Sequence, residues 1–158
     1  MRSDEQLIIL LVEDNAAHAE IVRRSFEDQD VPSRIYHVAD GEAALDYLFR
    51  REDYADEAAC PRPHVVLLDL RLPKIDGLDV LKVIKSTNLL RTIPVIVLTS
   101  SEAEGDVARA YENHANSYLV KPANYENFVE LMGQIGLYWS RWNRSMDAST
   151  DPVENNSG

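Results

Sequence analysis

Four short, mostly apolar runs each end on residues that could do chemistry. Glu13-Asp14 follows Leu7-Ile-Ile-Leu-Leu-Val12, Asp69 follows Val65-Val-Leu-Leu68, Thr99 follows Val95-Ile-Val-Leu98, and Lys121 follows Ser117-Tyr-Leu-Val120. Gathered in one place, the three carboxylates would repel one another and raise at least one pKa unless a cation joined them. An all-oxygen donor set suits Mg2+, which keeps several waters and accepts one or two carboxylates plus a phosphate oxygen. A lysine beside it is a point charge for phosphate or carboxylate, and a threonine hydroxyl can donate to a phosphoryl oxygen. Such a set could stabilise a phosphoryl group in transfer by charge and position. Taken singly, each residue has a plainer reading as a helix cap, a solvated turn or a strand exit. The chemistry depends on their convergence.

The elements supply that convergence. Short apolar runs alternate with longer amphipathic stretches, which argues for an α/β domain with a parallel sheet. Leu7–Val12 lacks polar alternation and reads as a strand buried on both faces. A helix follows from Asn15 to about Asp28, with Ala19, Val22 and Phe26 on one side. Arg34 to Ala39 is a weaker strand, and Asp40 caps a helix to about Arg51. Residues 52–63 are a loop of acids, alanines and prolines. Val65–Leu68 is the third strand, and Leu78, Leu81 and Ile84 give a helix over Gly77 to Ser86. Val95–Leu98 is the fourth strand. Ser101 and Glu104 read as a capping box for a helix to about Asn113. Ser117–Val120 is the last strand, and Asn124 begins a helix extending toward Arg144. Five strands and five helices thus alternate. In an open parallel sheet with right-handed crossovers the strand ends of one sense share an edge, where ligands bind. Glu13, Asp14, Asp69, Thr99 and Lys121 should meet there.

These residues resemble the receiver domain of two-component response regulators. The likeness rests on Leu11-Val-Glu-Asp-Asn15, Leu67-Leu-Asp-Leu-Arg-Leu-Pro73 with Asp76-Gly77, Leu98-Thr-Ser100 and Ser117-Tyr-Leu-Val-Lys-Pro122, and it runs from about Leu7 to about Trp142. The resemblance implies a flavodoxin-like, doubly wound five-stranded parallel sheet in the order 2-1-3-4-5. It implies that Asp69 is the phosphoacceptor and that Glu13, Asp14, Asp69 and the backbone carbonyl of Arg71 hold Mg2+. Lys121 would contact the phosphoryl group, Thr99 would move to bond it, and Tyr118 would be the aromatic switch. Pro73 and Gly77 would shape the loop after the acceptor, and Pro122 would follow a cis peptide bond. The surface of the fourth helix, fifth strand and fifth helix would change on phosphorylation. The implied donor is a sensor histidine kinase. The chain would catalyse only its own phosphorylation and dephosphorylation. Three readings of Arg71 stay open: a clamp on the phosphoryl group, a side chain lying toward Glu13 or Asp14, or a solvated arginine.

Charge and composition agree with a signalling module. Sixteen basic against 27 acidic side chains give −11, which opposes direct binding to nucleic acid or an anionic membrane. One cysteine, Cys60, allows neither an internal disulfide nor a zinc site. No apolar run is long enough to span a bilayer, so a cytoplasmic location is expected. Residues 5–144 read as one receiver domain and 145–158 as a disordered polar tail, with no second core for output. Output would then go through a partner or a second copy. Phe128, Leu131, Ile135, Tyr138 and Trp142 follow steps of three and four, with Trp139 alongside. From Phe128 to Ile135 the stripe reads as packing on the sheet, whereas its far end at Tyr138, Trp139 and Trp142 suggests an exposed apolar patch and a homodimer through the last helix, with Phe128, Tyr138, Trp139 and Trp142 as candidate contacts. The acidic loop and the Tyr-Trp end are similar to receivers paired with phytochrome-type histidine kinases. Two rival readings fail on residues. An aspartyl phosphatase needs a second Asp two positions after the nucleophile, where Arg71 stands. A flavin-binding domain needs a phosphate-cradling loop where Glu13-Asp14-Asn15 stands.

Overall fold

Apolar runs of four to six residues form the sheet because their side chains are covered on both faces. The computed structural model describes residues 6–29 and 32–142. Its strands are β1 (Leu7–Val12), β2 (Ser33–Val38), β3 (Val65–Leu68), β4 (Val95–Thr99) and β5 (Ser117–Val120). All pair in parallel, in the order β2-β1-β3-β4-β5. The helices are α1 (Ala16–Glu27), α2 (Gly41–Phe49), α3 (Gly77–Ser86), α4 (Glu104–Glu112) and α5 (Tyr125–Leu137). The fold is the flavodoxin-like, doubly wound sheet that the sequence led us to expect.

Alternation along the strands divides the core into two layers. Leu10, Val12, Val66, Leu68, Val95 and Val97 face α2, α3 and α4 through Leu45, Leu48, Leu81, Ile84 and Ala110. Ile9, Leu11, Val65, Leu67, Ile96 and Leu98 face α1 and α5 through Val22, Phe26, Met132 and Ile135. Each fully buried Leu or Ile contributes about 1.5–3 kcal/mol relative to exposure. Phe128 belongs to this second layer and is buried. That corrects its expected place in a dimer contact: the helical stripe turns it onto the sheet.

Four helices begin on side-chain caps, of which Asp40 is the one expected as a cap. Asn15 accepts from the His18 amide, Asp40 from Ala43, Asp76 from Leu78 and Asn124 from Asn127. The capping box expected at Ser101 and Glu104 does not form. The residue before α4 is Ala103, with no side-chain cap, because the Ser101 hydroxyl donates to Asp106 instead. The α-helical part of α5 ends at Leu137 and continues as a π-helical turn over Tyr138–Trp142, and the expected extension toward Arg144 lies outside the described residues. Within the 52–63 loop, Glu52–Tyr54 forms one 3-10 turn. The Lys121–Pro122 peptide is trans, not cis, trans being the lower-energy isomer of an X-Pro bond. The Trp142 side chain and the tail at 145–158 lie outside what is described.

Candidate functional site

The sheet's own hydrogen bonds fix the residues just beyond its strands. The Glu13 amide donates to the Val38 carbonyl at 3.0 Å, Asp69 to Val12 at 3.1 Å, and Lys121 to Thr99 at 2.8 Å. The ladder therefore runs one residue past β1, β3 and β5, and the side chains there project over one edge. The loop after Asp69 returns tightly, with the Gly77 amide donating to the Leu70 carbonyl at 2.9 Å. Gly77 permits this: a Cβ there would stand 2.4 Å from the Asp69 carbonyl oxygen and 2.5 Å from the Leu70 Cα.

At that edge Lys121 Nζ lies 2.6 Å from Glu13 Oε1 and 3.0 Å from Asp69 Oδ2. All three side chains are buried. An ammonium has three donors, and the third meets His18 Nδ1 at 2.9 Å. That geometry requires the His18 tautomer with Nδ1 unprotonated. The His18 ring also rests on Phe128, 6.0 Å between centroids. Burial, then the Lys121 charge, pushes the His18 pKa down. Sequence reasoning missed His18; the available signal was its place in the first turn of α1, four residues after Asp14.

Asp14 is exposed and completes a set with Glu13 and Asp69 whose carboxylate oxygens lie within 4.8 Å of one another. Burial pushes the Glu13 pKa up to about 6, against the opposing bond and charge of Lys121. Asp69 moves the other way. Burial raises it, but the Lys121 charge, the Thr99 hydroxyl and the Arg71 amide together hold it below the usual range. The Arg71 amide is 3.3 Å from Asp69 Oδ1. Three carboxylates with one lysine leave a net negative, oxygen-lined edge open at Asp14, which fits a divalent cation. Thr99 is buried, and its Oγ1 accepts from the Ser101 amide at 3.4 Å. Tyr118 is partly buried, its hydroxyl donating to the Ser101 carbonyl at 2.9 Å.

Arg71 is turned neither toward Glu13 and Asp14 nor simply into solvent. Its guanidinium pairs with Asp106 of α4. Asp106 was not among the residues expected to matter. It is buried, and also accepts from Ser101 Oγ at 2.6 Å and Arg109 at 2.8 Å. Of the remaining dimer candidates, Tyr138 is 52% exposed and Trp139 is partly buried against the α1–α5 layer. Among the described residues no helix is long and apolar enough to cross a membrane.

Known proteins resemble this chain in sequence and fold. The sequence profile of the response regulator receiver domain matches residues 9–132. The chain is 48% identical over 145 residues to the probable methanogenesis regulatory protein FilR2 of Methanothrix harundinacea, covering 92% of this chain and 91% of that one. It is 38% identical over 137 residues to the response regulator Rcp1 of Synechocystis, covering 87% and 91%. Among solved structures, the phosphorylated cyanobacterial phytochrome response regulator RcpA superposes with a TM-score of 0.85 at 36% identity, over 90% of this chain and 99% of that one. The Mn2+-bound form of Rcp1 gives 0.82 at 37% identity, over 88% and 98%. On the match of its profile and the identity to these relatives, this chain belongs to the response regulator receiver domain family and serves two-component signalling as a phosphoacceptor.

Proposed function

We propose that Asp69 is the phosphorylated residue and that a sensor histidine kinase is its donor. The observation that carries this is the buried Lys121 ammonium bridging Asp69 and Glu13 beside the exposed Asp14. An Asp69 oxygen bonds to phosphorus as the P–N bond of the kinase phosphohistidine breaks, and the electron pair returns to the imidazole. Lys121 offsets charge on the transferring group. Glu13, Asp14, Asp69 and the Arg71 carbonyl would hold Mg2+, which when bound neutralises the phosphoryl oxygens and orients them. The new acyl phosphate adds charge and acceptor oxygens. Thr99 moves to bond it, and Tyr118 releases the Ser101 carbonyl as it turns. The α4-β5-α5 surface follows, biasing a two-state equilibrium already present. The chain also speeds loss of its own phosphoryl group, works in the cytoplasm and acts on no separate substrate.

The likeness to phytochrome response regulators supports a phytochrome-type kinase as the partner. The exposed Leu137 and Tyr138, with Trp139 next to them, support a homodimer through the end of the last helix. A single mass in light scattering, monomeric with and without phosphorylation, would remove the dimer. The primary test is intact mass after incubation with acetyl phosphate, with and without Mg2+. Wild type should gain one phosphoryl group only with the metal, and Asp69→Asn should gain none. An equal adduct on Asp69→Asn sinks the assignment.

A further inference from the structure

A buried carboxylate in α4 holds the arginine that flanks the acceptor. Asp106 Oδ2 takes Arg71 and the Ser101 hydroxyl, and Oδ1 takes Arg109 at 2.8 Å. The Ser101 hydroxyl, ahead of Arg109, keeps the Asp106 pKa below its usual range. Its side chain is 2% exposed, whereas that of Arg71 is 60% exposed. The two partners therefore stand to lose differently if they separate. Arg71 would be taken up by water at little cost, as exposed ion-pair partners are. Asp106 would not be orphaned, because Arg109 and Ser101 remain on it; an uncompensated buried charge is what usually makes such a break expensive. The pair is built to open on the arginine side.

What could draw Arg71 away stands close by. Its amide already donates to Asp69 Oδ1. A phosphoryl group on Asp69 brings about −2 charge and three acceptor oxygens, and a guanidinium meets such a group bidentately. Asp106 and the acyl phosphate are thus rival acceptors for one guanidinium.

We infer that Asp106 is a positioning residue, which parks Arg71 on α4 and so limits how long the phosphoryl group on Asp69 survives. When Asp106 holds Arg71, the mouth over Asp69 stays open to the water that hydrolyses the acyl phosphate. When Arg71 leaves, it covers the phosphoryl oxygens and frees α4 from the loop after β3. The same Ser101 that bonds Asp106 also holds the Tyr118 hydroxyl through its carbonyl. Release therefore reaches the proposed switch residue directly. This inference rests on Asp69 as the acceptor.

The test is the decay of the phosphorylated chain by intact mass after removal of acetyl phosphate, at constant Mg2+. Asp106→Asn should slow decay by about fivefold or more, as expected for one added charge-assisted contact to the phosphoryl group. Arg71→Gln should decay at least as fast as wild type, and the double variant should match Arg71→Gln, not Asp106→Asn. A purely structural role for Asp106 would not make its effect depend on Arg71. Arg109→Gln gives the opposite sign and leaves the buried carboxylate in place: Asp106 then holds Arg71 more firmly, and decay should quicken about twofold. If Asp106→Asn does not fold, unchanged decay in Arg109→Gln overturns the inference. Wild-type decay in a folded Asp106→Asn, or a double variant as slow as Asp106→Asn, also overturns it while leaving the acceptor intact. Absence of any adduct on wild type would remove the acceptor reading and this inference together.

Discussion

Replacing Gly77 with alanine should separate folding from chemistry. Its absent Cβ would lie 2.4 Å from the Asp69 carbonyl oxygen and 2.5 Å from the Leu70 Cα. A carbon rarely approaches a carbonyl oxygen closer than about 3.3 Å. The methyl therefore lacks about 0.9 Å of room, taking that contact distance as the limit. Both neighbours are backbone, so no side chain can swing aside. Either the first turn of α3 moves away or Asp69 and Leu70 are pushed toward the edge of the sheet. Small-to-large changes in packed regions cost about 1–3 kcal/mol. At that cost the variant should still fold, with a lowered melting temperature. Chemistry should suffer more. A misplacement near 1 Å costs about 100-fold where reacting atoms must be aligned. The assay is the initial rate of phosphorylation by acetyl phosphate, by intact mass, with thermal unfolding followed by circular dichroism. A folded Gly77→Ala chain phosphorylated within about threefold of wild type would refute the claim that this close approach sets the position of Asp69.

Three further outcomes follow from the same geometry. Lys121→Met should lower the acetyl phosphate rate by about 100-fold, the scale of one lost electrostatic contact to the transition state, yet tighten metal binding in calorimetry several-fold, because the ammonium competes with the metal for Glu13 and Asp69. Metal affinity should rise with pH through about 6, where buried Glu13 loses its proton, and level off above; its folded value exceeds the ordinary 4.5, so the proton favours folding and that contribution fades as pH rises through about 6. Calorimetric titrations below and above that pH test this, and an equally steep dependence in Glu13→Gln would assign it elsewhere. Phe128→Ala should cost about 3–5 kcal/mol in denaturant unfolding, without changing the mass in light scattering, because Phe128 lies in the core and not on the proposed interface.

How far the sequence reached depended on the range of each signal. Strands were legible because a continuous apolar run such as Val65–Leu68 has no other use in a chain this charged. Asp69, Lys121 and Glu13 were legible because a parallel sheet puts every strand end of one sense on one edge, whatever the separation along the chain. Side-chain partners across loops carry no such rule. Asp106 stands in α4 between Glu104 and Glu112, in a pattern that reads as a solvated acidic face, and its partner Arg71 is 35 residues away. Ser101 gave a capping signal that lost to a stronger acceptor, the Asp106 carboxylate. Phe128 and Tyr138 share one helical stripe, but the stripe alone does not say where the sheet stops. The structure buries the first and leaves the second exposed.

The charge at the edge ties metal and phosphoryl together. Glu13, Asp14 and Asp69 bring three negative charges against one positive charge from Lys121. At neutral pH the cluster is thus doubly negative, because Glu13 titrates near 6 and Asp69 lower still. An incoming phosphoryl group would meet a negative edge. A divalent cation held by these carboxylates would offset that charge, and Lys121 would remain available to the phosphoryl oxygens. Asp14, being exposed, offers the point of entry for a cation that keeps part of its water. The metal requirement then comes from the excess of carboxylates itself, and it should weaken when one is removed. Glu13→Gln leaves the site singly negative, so it should bind the cation less tightly while depending on it less for acetyl phosphate chemistry. A Glu13→Gln chain whose phosphorylation still needed the metal as strictly as wild type would mean that orientation of the phosphoryl group, not charge, is what the metal supplies.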